Sequence, residues 1–65
     1  MTVYDFCSLA IDDYCHIIVF DFAIDEEVFN GTAEEAKMSD FENYEICSFD
    51  TPVNGTITLN IDTDM

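Results

Sequence analysis

Positive charge is almost absent from this chain. Lys37 is its one basic residue besides His16, and fifteen Asp and Glu residues leave a formal net charge of -14 over 65 residues. Phosphates are held by Lys and Arg that displace their counterions, so direct binding of nucleic acid is not expected, and attachment to anionic headgroups is excluded on the same ground. Long apolar runs are missing too. The longest, Ile17-Ile18-Val19-Phe20, falls far short of the roughly 20 residues of a membrane-spanning helix and suits a buried strand. The first residues, MTVYDFC, have no basic region ahead of an apolar stretch, so no secretory signal is expected and the cytoplasm is the expected location.

Catalytic signatures are equally scarce. His16 is the single histidine and sits in an apolar stretch, whereas a Ser or Cys nucleophile needs a base within hydrogen-bond reach and a third group to orient it. There is no P-loop, no GxGxxG and no HExxH. An enzyme is not expected. Cys7, Cys15 and Cys47 form an odd set without CxxC spacing, which argues against a disulfide framework and for free thiols packed as small hydrophobes. Joining them to His16 as a Cys3His zinc site is the sharper alternative. It is disfavoured because Cys15 and His16 are neighbours that would point to opposite sides of a strand. No metal and no cofactor are expected.

What is present is a core. The apolar fraction is 49%, with six Phe and three Tyr, too rich for a disordered acidic tail. The length allows one domain, residues 1–65, burying about 60% of the surface its unfolded form exposes. Val3, Phe6, Cys7, Ala10 and Ile11 follow the spacing of an amphipathic helix, with Thr2 as N-cap, Asp5 beside the positive end of its dipole and Asp12-Asp13 at its exit. YCHIIVFDFAI alternates Ile18, Phe20, Phe22 and Ile24 against Ile17, Val19 and Ala23, which predicts a central strand apolar on both faces. Asp21 is expected at an exposed or edge position of it. EEVFNG reads as a second strand after a turn at Asp25-Glu26.

Thr32 with Glu35 three residues on is a capping box, which starts a second helix. YEICSF is strand-like with a bulge expected near Ile46-Cys47. DTPVNG reads as a turn region in which Pro52 bars regular strand and Asn54-Gly55 closes a hairpin. TITLNID alternates cleanly, with Ile57, Leu59 and Ile61 inward. The order is αββαββ, and antiparallel hairpins with both short helices on one face make an α+β two-layer sandwich. A dimer or partner surface is expected on the other face, where Ile17 and Val19 would emerge.

Carboxylate pairs at Asp12-Asp13, Glu26-Glu27 and Glu34-Glu35 fit no EF-hand loop and read singly as solvated surface. Collectively they say more. Asp25, Glu26, Glu27, Glu34, Glu35, Asp40, Glu42 and Glu45 place eight of the fifteen acids within twenty-one residues. If strand 2, the second helix and the start of strand 3 are adjacent, they form a patch that a basic nucleic-acid channel would attract, with Phe41 and Tyr44 as aromatic anchors. A solubility surface is the plainer explanation, but such a surface usually mixes both signs.

TVYDFCSLAIDDYCHIIVFDFAIDEEVFNGTAEEA followed by SFDTPVNGTITLNID resembles the small acidic proteins carried by phages and mobile elements of gut bacteria. Some proteins of this kind are anti-CRISPR inhibitors that mimic DNA. The likeness is general and contains no diagnostic motif, so it carries over no functional residue. It implies a non-enzymatic inhibitor of a basic nucleic-acid-binding protein, such as a CRISPR nuclease, acting as an acidic DNA mimic. The alternative from another class is a small structural or assembly protein that forms a homodimer through its sheet face.

Overall fold

A computed structural model describes residues 1–9, 13–53 and 55–64 of the chain, and for Pro52 and Val53 the backbone alone. Its elements are α1 (Val3–Ser8), β1 (His16–Asp21), β2 (Glu26–Thr32), α2 (Ala33–Lys37), β3 (Ile46–Val53) and β4 (Thr56–Ile61). The fold is α+β, with a four-stranded mixed sheet and two short helices.

Both helices start as their local sequence dictates. The Thr2 hydroxyl accepts from Asp5 N–H at 3.1 Å while Thr2 N–H donates to the Asp5 carboxylate at 3.2 Å. Thr32 and Glu35 repeat the exchange at 3.2 and 3.0 Å. Each box satisfies backbone donors that a helix start leaves open. α1 is shorter than its apolar spacing suggests, ending at Ser8, while Ala10, Ile11 and Asp12 of the expected helix and its exit lie outside the described residues. Gly31 has a steric reason to be there. A Cβ at this position would lie 2.9 Å from Glu35 Oε1 and 3.0 Å from Phe29 Cζ, so a larger residue would push against the carboxylate that caps α2.

The sheet departs from the antiparallel expectation. β1 pairs antiparallel with β2 and β3 with β4, as two hairpins, but β1 and β4 run parallel at the centre, and the order is β2-β1-β4-β3. The second hairpin meets β1 with its later strand, not its earlier one, so the edge strands β2 and β3 also share a direction. Parallel strands need a crossover, and α2 lies on the path between them. Pro52 falls inside β3, where a turn was expected. It is tolerated because β3 is an edge strand and its register slips between Asp50 and Val53, so no regular ladder bond is lost to the missing N–H. The expected bulge at Ile46-Cys47 is present as a register shift between Ile46 and Ser48. The β1–β2 turn contains Asp25 at φ 55°, and Gly55 in the β3–β4 turn has φ 86°. Asn54 lies outside the described residues.

The faces of β1 are the reverse of those expected. Ile17 and Val19 are fully buried, and the parallel register sets them beside Ile57 and Leu59, with Asp21 beside Ile61. Val3 and Cys7 of α1 and Ala33 and Ala36 of α2 complete one core cluster with Ile17, Val19, Leu59 and Ile61. Ile18 and Phe20, half-buried, point the other way and do not belong to it. Asp21, expected at the surface, is 2% exposed.

Candidate functional site

The sequence-predicted acidic patch is divided by the fold. Asp25, Glu26 and Glu27 lie at the β1–β2 turn, all exposed. β2 then runs six residue steps to Thr32, roughly 20 Å, before Glu34 and Glu35 follow at the start of α2. Asp40, Phe41, Glu42, Tyr44 and Glu45 form the connection from α2 to β3. β3 is three strand spacings from β2, roughly 14 Å across the sheet. The patch therefore resolves into three groups. Strand 2 and the second helix are neighbours, as the reading required, and the start of strand 3 is not.

Several of these residues have structural work as well. Glu35 caps α2, so one carboxylate oxygen is already engaged by Thr32. Glu45 binds the N-terminal amine at 2.7 Å and holds that amine's pKa above its ordinary value through this hydrogen bond. Phe41 packs against the core and its ring lies 6.2 Å from that of Tyr44. The backbone carbonyls of Glu42 and Tyr44 accept from Tyr4 and Val3, so this connection also anchors α1. Asp62, which the reading did not single out, joins Asn43, Tyr44 and Glu45 around an open depression of about 260 Å³.

The positive charge that exists is neutralised within the chain. Lys37 Nζ bonds Asp13 at 3.1 Å, which raises the lysine pKa, and the N-terminal amine is held by Glu45. Glu26, Glu27, Glu34 and Asp40 are exposed and make no ion pair among those of the described residues. The surface field is thus negative in every direction that these groups face.

Cys7 is buried, Cys15 half-buried and Cys47 exposed, and among the described residues no three His, Cys, Asp or Glu side chains converge as a metal would need. Burial pushes the Cys7 thiol pKa up, which favours the inert protonated form. His16 is occupied. Its Nδ1 lies 3.1 Å from Thr56 Oγ1 of β4 and its Nε2 meets Asn30 Oδ1 of β2, so the ring bridges three strands. Asn30 Oδ1 can only accept, which makes Nε2 the donor.

Among the described residues, Asp21 is the buried polar side chain. Its carboxylate accepts from the Thr63 hydroxyl at 2.6 Å, from Thr63 N–H at 3.2 Å and from Ala23 N–H at 2.9 Å. The Thr63 hydroxyl bond leads the effects that hold its pKa below the ordinary carboxylate value. These bonds fasten the β1–β2 turn to the residues after β4. With these three bonds on a buried carboxylate, the role of Asp21 in the structure is to tie the two segments together.

The sheet face opposite the core, expected from the sequence to carry a partner surface through Ile17 and Val19, carries other residues. Ile18 and Phe20 lie there, and Phe22, 52% exposed, stacks its ring edge-on to Phe20 at 5.7 Å. The signal was present in the alternation of YCHIIVFDFAI, but with both sides apolar it could not say which side was open. No helix among the described residues is long and apolar enough to cross a membrane. Compared with known proteins, the chain matches no family model, no curated protein and no solved structure.

Proposed function

We propose that this protein is a non-enzymatic inhibitor that binds a basic nucleic-acid-binding protein, a CRISPR nuclease being one such target, by presenting carboxylates where the target expects phosphates. The observation that carries this reading is the neutralisation of both Lys37 and the N-terminal amine inside the chain, which leaves -14 of net charge with no compensating cation on offer. A partner of opposite sign supplies what the chain lacks, and attraction of this kind accelerates encounter and competes with nucleic acid. The two-layer arrangement of helices over one sheet face belongs to the same reading, because it frees the other face and the turns for contact.

The test is inhibition of DNA binding and cleavage by a panel of purified RNA-guided nucleases at about 50 mM and about 300 mM NaCl, where screening differs strongly. Inhibition that falls steeply with salt is expected. Glu26→Lys, Glu34→Lys and Asp40→Lys together should abolish it, and these acids are chosen because none caps a helix or holds the N-terminal amine. Equal inhibition by the triple variant would remove these acids from the interface, and no inhibition of any nuclease would reduce the charge to a solubility device. The self-associating alternative has the open sheet face as its surface, now through Ile18 and Phe20 because Ile17 and Val19 are core.

A further inference from the structure

The open sheet face has the anatomy of an interface and a rim of one sign. Its centre is neutral. β1 contributes Ile18 and Phe20, continued by Phe22, and β4 lays Thr58 and Asn60 beside them in the parallel register. The strands carry four acids, and they divide by face. Asp21 is buried on the core side with Glu26 paired beside it, while Glu27 pairs with Phe20 from the β2 edge and Asp50 pairs with Thr58 from the β3 edge. A charge-depleted apolar centre with charged residues at its margin is what distinguishes an interface core from ordinary surface. In a chain of this acidity, such a gap in the charge is itself informative.

The margin decides the occupant. A second copy laid face to face would bring its own Glu27 and Asp50, and its own -14 charge, against these, with Lys37 already bound to Asp13. Like charges across an interface oppose association. We infer that this face docks a protein segment that inserts an apolar side chain over Phe20 and Phe22 and flanks it with Lys or Arg to meet Glu27 and Asp50. This rests on the proposed function and names the surface it uses. The anchors are then aromatic residues outside the Asp25–Glu45 run, and of the carboxylates of that run Glu27 lies at the margin while the others act at longer range.

The experiment titrates the full-length 15N-labelled chain with a synthetic peptide of alternating Leu and Lys, and separately with oligolysine of equal charge, following backbone amide shifts. With the Leu-Lys peptide, the largest changes are expected at Ile18, Phe20, Phe22, Glu27 and Asn60. Phe20→Ser with Phe22→Ser should weaken that peptide at least about tenfold and leave oligolysine binding unchanged, because aromatic anchors dominate interface energy. If this variant fails to fold, Glu27→Lys with Asp50→Lys, at exposed edge positions, decides in its place by the same loss. Shifts centred on Glu34, Glu35, Asp40, Glu42 and Glu45, or equal affinity of the variants for the Leu-Lys peptide, would overturn the inference. So would a dimer in sedimentation whose dilution moves the same amides, since a second copy would then be the occupant. Loss of this face with nuclease inhibition retained leaves the proposed function standing; the reverse result leaves the face and removes that function.

Discussion

Asp21 shows how a single residue can be misread from its neighbours. Between Phe20 and Phe22 it looks like an interruption that must face solvent, yet its three hydrogen bonds come from Ala23 and from Thr63, which is 42 residues away. Nothing local announces that partner. Because its folded pKa is lowered, the stability it confers is fully present above the unfolded value near pH 4 and is lost as pH falls through the folded pKa. Asp21→Asn should therefore lower Tm at pH 7 by about 5–10 °C, since hydrogen bonds to a charged acceptor are among the stronger ones and small domains respond steeply. The gap between variant and wild type should close as the pH is taken down through that lowered folded pKa. A gap independent of pH, measured by thermal melts followed by circular dichroism, would show that charge at this position does not matter. Thr2 and Thr32 are the opposite case. Their capping partners are three residues away: the Thr32–Glu35 box is legible in the sequence, and Thr2 is legible as an N-cap, although Asp5 reads there as a charge at the dipole and not as its reciprocal partner.

The elements were legible in proportion to how local their causes are. Helix starts and the alternation of β4 could be read directly, whereas Pro52 within β3 could not, because its tolerance depends on β3 being an edge. β1 is the instructive strand. Alternation separates Ile17 and Val19 from Ile18 and Phe20 but gives no sign, so the wrong pair was assigned to the open side. The assignment in the structure has a direct check. Ile17→Glu places an unpaired charge in the core and should abolish folding, whereas Ile18→Glu should cost at most about 2 kcal/mol in urea denaturation and keep the native circular dichroism. Equal damage from both would mean that the second face is covered as well.

At the scale of the whole molecule, charge and topology pull in different directions. A formal net charge of -14 opposes compaction, and salt screens it, so Tm should rise by about 5 °C or more between about 10 mM and about 300 mM NaCl. A Tm that falls or stays flat over that range would mean that the ion pairs at Lys37 and the N-terminal amine outweigh the repulsion. The acid-rich run between Asp25 and Glu45 was evident in the sequence, but its division into three groups was not, because sheet order is fixed by pairings such as His16 with Thr56, forty residues apart. That central seam also governs how the molecule can form. Each hairpin closes over a short turn and can appear within microseconds, but neither owns a core. Ile17 and Val19 meet Leu59 and Ile61 only when β1 and β4 zip together, after the long intervening loop has been closed. Cut in the connection between α2 and β3, the chain would yield two halves that are each unfolded alone and that recover the native state only by finding one another, with a second-order rate slowed by their shared charge.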